Sequence, residues 1–128
     1  EKIKDIYENI KGDNKITVSL HIRRGDYLKL SHLHTNLTIS YYNKATKLFN
    51  KEVLYIIFSD DIEWCKKNIK YSNIYFCEDI PDIGLPLDIT ELILMSMCDN
   101  NIIANSTFSW WSVWLNRNES VLFVVPKI

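Results

Sequence analysis

Residues 16–27 read ITVSLHIRRGDY, and the fold turns on how that stretch is taken. A run rich in β-branched and aliphatic residues ends abruptly in two arginines, a glycine and an aspartate. That is a buried strand running into a polar turn at its carboxyl end. Working outward, residues 53–58 (VLYIIF) are almost wholly apolar, as expected of a strand covered on both faces. Residues 73–77, 101–104 and 121–125 read as further short strands. Between them, residues 38–50, 62–70, 87–98 and 108–115 carry helical spacing, and residues 2–10 form an opening helix. In residues 59–70, Ser59, Asp60 and Asp61 precede the helix and lysines close it, the polarity that suits a helix dipole. Strands alternating with helices predict an α/β domain: a doubly wound parallel sheet of about five strands, a Rossmann-like half.

Composition narrows what such a domain does. The 128 residues make one domain, 1–128, and 47% hydrophobic content is ample for a core without a disulfide or metal staple. A net charge of −1 argues against a nucleic-acid or anionic-membrane surface. No apolar run is long enough to cross a bilayer. The three cysteines, Cys65, Cys77 and Cys98, are odd in number and lack CxxC spacing, which predicts buried reduced thiols and a cytoplasmic setting, or a peripheral one at the inner face of a membrane. His32 and His34 have no partner at metal-ligand spacing and read as solvated surface. Of the 15 basic residues only three are arginine, and two of these are adjacent, Arg23 and Arg24. Fork-shaped guanidiniums are suited to bidentate phosphate or carboxylate contacts.

Ligands of open parallel sheets bind beyond the carboxyl ends of the strands. There the sequence puts Arg23, Arg24, Gly25 and Asp26 after the first strand, Ser59, Asp60 and Asp61 after the second, Glu78 and Asp79 after the third, and Asn105, Ser106, Thr107, Phe108 and Ser109 after the fourth. Strand alternation sets His21 and Arg23 on one face, Ile22 and Arg24 on the other. Ser106 and Thr107 open a helix, whose first N–H groups attract anions. Arginine facing a helix N-terminus points to a phosphate or pyrophosphate; an ordinary N-cap and a solvated loop are the plainer alternatives. Glu78 and Asp79 read as loop polarity. Trp110, Trp111, Trp114 and Leu115 form an apolar stripe at helical spacing and are expected in the core. Lys66, Lys67 and Lys70 are expected to be a solvated helix end.

HIRRGDY at residues 21–27, SDDIEWCKKNI at 59–69 and NIIANSTFSWW at 101–111 together resemble the α-1,2-fucosyltransferases, glycosyltransferase family 11. The resemblance implies the donor half of a GT-B-type enzyme of two Rossmann-like domains. Its expected reaction is inverting transfer of L-fucose from GDP-fucose to a galactose-containing glycan in α-1,2 linkage, with no metal or other cofactor. It implies that Arg23 binds the β-phosphate and that His21 contacts the guanine side with Glu91, where the family more often carries Asp. Ser106, Thr107 and Phe108 would cradle the phosphates, and Arg24 and Asp60 are further donor-site candidates. Asp26 is the carboxylate nearest the arginine pair; it is a catalytic candidate and, equally, a brace for the turn. The acceptor-side domain is expected to be absent from residues 1–128, so the glycan would be bound by that other half.

Two other classes compete. One is a non-catalytic GDP-sugar-binding fragment. The other is a receiver-type phospho-acceptor module, loosely mimicked by Asp60, Asp61, Ser106 and Lys127, although nothing in that scheme uses Arg23 and Arg24.

Overall fold

A computed structural model describes residues 2–14, 16–23, 39–49, 52–71, 73–104, 107–116 and 123–124. Five parallel strands lie in the order β3-β2-β1-β4-β5: β1 Thr17–Ile22, β2 Leu54–Ser59, β3 Ile74–Phe76, β4 Asn100–Ile102 and β5 Phe123–Val124. The helices are α1 Lys2–Lys11, α2 Ile39–Thr46, α3 Ile62–Asn68, α4 Leu87–Met97 and α5 Thr107–Leu115. The doubly wound parallel sheet expected from the sequence is present.

Local chemistry sets the element ends. α1 carries Asp5 in its first turn and Lys11 in its last, matching the helix dipole. It stops at Gly12, whose φ of +55° is the left-handed conformation that glycine adopts without steric cost. α3 begins where the Asp61 carboxylate accepts the Trp64 amide at 3.2 Å.

The two faces of the sheet are covered differently. Val18, Leu20 and Ile22 of β1 pack with Tyr55 and Ile57 of β2 beneath Tyr42, Ala45, Cys65 and Ile69 from the α2 and α3 side. Leu54, Ile56 and Phe58 of β2 face Tyr7 of α1 and Leu94, Met95 and Cys98 from α4. All three cysteines are buried free thiols, as expected.

The alternate residues of β1, Thr17, Ser19 and His21, are polar and at most 7% exposed. Burying them without partners would cost roughly 1–3 kcal/mol each, so their hydrogen bonds explain the packing. Thr17 bonds Tyr7 at 2.8 Å and, through its amide at 2.8 Å, the Asp99 carboxylate. Asn101 donates to Ser19 at 2.6 Å and to the Met95 carbonyl at 2.9 Å, while Asn116 donates to Asn101 at 3.0 Å. A polar seam therefore runs between β1, β4 and the helices above them.

This seam overturns one expectation. The stripe of Trp110, Trp111, Trp114 and Leu115 is not in the core; these residues are 41%, 55%, 78% and 44% exposed. The face of α5 turned to the sheet carries Ser109 and Ser112, both fully buried, and Asn116. A helix has one inward face, and polar partners for the seam occupy it. The helix over 87–98 is likewise less buried than its composition suggests, with Leu87 and Ile89 exposed. Lys66 is not simply solvated, because it pairs with Glu78 at 2.5 Å.

Candidate functional site

In the strand order 3-2-1-4-5, successive connections run outward from β1 on one side and, after β3, cross back to β4 on the other. The carboxyl ends of β1 and β4 therefore meet at the switch point of the topology, where sheets of this kind take ligands. β1 delivers His21, buried, and the half-buried Arg23 to that edge; β4 delivers Ile103 and Ala104, followed by α5.

One side chain ties these ends together. The Ser109 hydroxyl, in the first turn of α5, hydrogen-bonds His21 Nδ1 and accepts the Ala104 amide at 3.0 Å. The amide-rich start of α5 is thereby held to the end of β1. From the other face the Tyr42 hydroxyl donates to the His21 carbonyl at 3.0 Å, which fixes the strand end.

The electrostatics of the strand ends are distinct. Burial, aided by the Arg23 charge and opposed by Asp60, lowers the His21 pKa from 6.5 to about 4, so the imidazole is neutral at neutral pH. Glu91 moves the other way: burial, then the Asp88 charge, raises its pKa from 4.5 to about 7.

Glu91 and His21 share a sheet face. His21 pairs in register with Phe58, and the next strand supplies Cys77, whose amide donates to the Ile57 carbonyl at 2.8 Å. Phe58 and Cys77 belong to the same buried cluster, and the Glu91 charge acts on the Cys77 thiol. His21 and Cys77 are two strand spacings apart, about 10 Å, so a cross-strand row runs from His21 to Cys77, the thiol on which the Glu91 charge acts.

The remaining sequence candidates separate into used and undescribed. Asp60 ends β2 in an exposed position close enough to act on His21, while Asp61 caps α3. Glu78 is held by Lys66, consistent with a structural part for that loop. Arg24, Asp26, His32, His34 and Ser106 lie outside the described residues, as do the side chains of Thr107 and Phe108, whose backbone opens α5. Among the described residues, no group of three His, Cys, Asp or Glu side chains is placed to hold a metal ion, and no helix is long and apolar enough to cross a membrane.

Ser109 stood in the expected polar cluster after the fourth strand but was not singled out as a binding or catalytic residue. Its signal lies in spacing: polar residues at 109, 112 and 116 share one helix face, opposite the tryptophans. That pattern marks a helix facing a polar partner.

Comparison with known proteins bears on the whole chain. The family model described as Glycosyl transferase family 11 matches residues 1–128. An O-antigen biosynthesis glycosyltransferase, WbnK, of Escherichia coli is 38% identical, over 95% of this chain and 42% of its own length. An α-1,2-colitosyltransferase of Escherichia coli is 36% identical, over 86% of this chain and 40% of its own. The human galactoside α-(1,2)-fucosyltransferase 1 is 28% identical, over 86% and 32%. The chain thus spans about two fifths of the bacterial relatives' length. Among solved structures, the fucosyltransferase NodZ from Bradyrhizobium superposes with a TM-score of 0.60 over 89% of this chain and 40% of its own, at 16% identity, a likeness of fold.

Proposed function

The chain belongs to glycosyl transferase family 11, and from that premise we propose that it is the donor-binding part of an inverting fucosyltransferase. The reaction is transfer of L-fucose from GDP-fucose to a galactose hydroxyl of a glycan, in α-1,2 linkage. In this reading the acceptor would be bound by sequence corresponding to the rest of the relatives' length, of which this chain spans about two fifths in the bacterial ones.

What supports this reading most directly is the junction of β1 and α5 through Ser109 at the switch point. It sets a guanidinium-bearing strand end against a helix N-terminus, and both favour a diphosphate. In the proposed mechanism GDP departs from the anomeric carbon, and negative charge grows on its β-phosphate. Arg23 and the first amides of α5, with Ser106, Thr107 and Phe108, stabilise that charge as it develops. Arg23 thereby fills the role that a cation fills elsewhere; no metal or other cofactor enters. The guanine lies between His21 and Glu91, with Asp60 and Arg24 at its margin. Asp26 is the carboxylate assigned to the reacting side.

The colitosyltransferase relative favours a second reading of the donor sugar. Colitose is fucose without its 3-hydroxyl, and the same diphosphate clasp serves either sugar. A family member's donor part that binds and does not transfer is the remaining alternative; the receiver-type module is set aside by the family match and by the use of Asp61 as a helix cap.

Calorimetry of this chain with GDP, GDP-fucose and ADP, with and without Mg²⁺, tests the donor assignment. Preference for guanine without a magnesium requirement is expected; equal binding of ADP would refute it. Transfer assayed with the remainder of a relative added in trans separates enzyme from binding-only fragment, and offering both sugars separates fucosyl from colitosyl transfer.

A further inference from the structure

A helix on the outside of an α/β domain ordinarily turns its apolar stripe to the sheet and its polar residues to water. α5 does the reverse. Ser109 and Ser112 are fully buried, while Trp111, Trp114 and Leu115, at i, i+3 and i+4 on one helix face, are 55%, 78% and 44% exposed. α4 lies against α5. Both helices follow parallel strands of one sheet, so their first turns share its carboxyl edge. There α4 adds Leu87 and Ile89, which are also exposed. An exposed patch of large apolar side chains marks a contact face, and tryptophan is enriched among the residues that carry binding energy.

Such a face suits a bilayer, a second copy of the chain, or more of the same enzyme. Helices that lie in a bilayer surface border their apolar face with lysine and arginine. α5 has no charged residue, and the charges in the first turns of α4, Asp88 and Glu91, are acidic. The family model matches all of residues 1–128, yet these residues span 42% of WbnK and 40% of the colitosyltransferase. A full-length member of the family therefore carries polypeptide beyond the matched part. Tethering holds that polypeptide beside this domain at a high effective concentration, an advantage a second copy lacks. We propose that the Trp111, Trp114 and Leu115 face of α5, extended by Leu87 and Ile89 of α4, is the surface on which the rest of a full-length family 11 enzyme docks. The proposal rests on the family match and not on the donor assignment.

The test compares the 128-residue chain alone with WbnK whose matching segment has been replaced by residues 1–128. Hydroxyl-radical footprinting read by mass spectrometry should find Trp111 and Trp114 readily oxidised in the chain alone and severalfold protected in the chimera. Leu48, which follows α2 and is 63% exposed, should react equally in both. Trp111→Lys combined with Trp114→Lys should leave the urea midpoint of the chain alone near the parent's and lower that of the chimera. Equal oxidation of the tryptophans in chain and chimera overturns the proposal. So does a chimera whose two parts unfold in separate transitions, or one that fails to fold although the chain alone does. Protection already present in the monomeric chain would mean that the chain covers the face itself. A dimer of the chain that the lysines dissolve, or binding to phosphatidylcholine vesicles that they abolish, would assign another occupant; each of these three results also overturns the proposal. GDP binding enters none of these readouts, so failure of the donor assignment is read separately.

Discussion

His21 and Ser109, 88 residues apart in sequence, share a buried hydrogen bond that joins the last turn of chain in β1 to the first turn of α5. Doubly wound sheets take ligands between just such elements, and here the Ser109 hydroxyl bridges them. Arg23, two residues beyond His21, is carried to the switch point by that bond.

Arg23 is therefore expected to act on the β-phosphate and not on the nucleoside. In calorimetry, Arg23→Ala should weaken GDP by roughly 30-fold or more, the scale of a charged hydrogen bond, and leave GMP nearly unchanged. In transfer assays with the remaining domain supplied, the same change should slow turnover on the order of 10²- to 10³-fold, about 3–4 kcal/mol. Arg23→Lys should recover little, since the fork geometry is lost. Equal weakening of GDP and GMP would place Arg23 elsewhere.

Under the proposed function, Glu91 should make guanine binding depend on pH. A carboxylate accepts the N–H groups of a guanine edge; a carboxylic acid accepts them poorly. With its pKa raised to about 7 by burial and Asp88, GDP affinity should rise between pH 6 and pH 8 and then level off. Glu91→Gln should flatten that profile. Calorimetry across the range checks it, and a flat wild-type profile would remove Glu91 from the base site.

His21 makes stability depend on pH in a separate way. Its pKa is about 4 folded against 6.5 unfolded, so between those values the unfolded chain binds the extra proton. The stabilisation is complete above pH 6.5 and is lost as pH falls toward 4, by about 3 kcal/mol in all. Glu91 acts in the opposite sense between its unfolded 4.5 and about 7, since there the folded state holds the proton. The difference between wild type and His21→Gln in urea midpoints at pH 7 and pH 4.5 isolates the histidine: the wild type should lose more of its stability than the variant.

The inverted helix gives a paired test. Trp114, 78% exposed, should tolerate Trp114→Lys within about 0.5 kcal/mol. Ser112 is fully buried and donates to the Ser109 carbonyl at 2.5 Å; Ser112→Leu should cost about 1–3 kcal/mol through overpacking. Chemical denaturation of both variants checks the order. A larger loss from Trp114→Lys than from Ser112→Leu would restore the tryptophans to the core.

Much of the fold was legible because it depends on local pattern: the apolar run 53–58, the Asp61 cap and the polar turn after Ile22 each declare themselves within a few residues. The strand order was not, because it depends on which strands meet across the chain. The tryptophan stripe misled for a related reason. Apolar spacing identifies one face of a helix, but which face turns inward depends on the partner, and the partner here is the polar seam of Ser19, His21 and Asn101. The placement of His21 and Arg23 at the carboxyl end of β1 was legible, because strand position sets it. Ser109 was hidden, since nothing near it in sequence reveals that its bond partner lies 88 residues away.

The most direct test is a structure of this chain with GDP bound. The pyrophosphate should rest over the β1–β4 switch point, its β-phosphate within hydrogen-bonding reach of the Arg23 guanidinium and the first amides of α5, with the guanine toward His21 and Glu91. A diphosphate seated over the ends of β2 and β3, or one that leaves Arg23 and the start of α5 out of contact, would contradict the account.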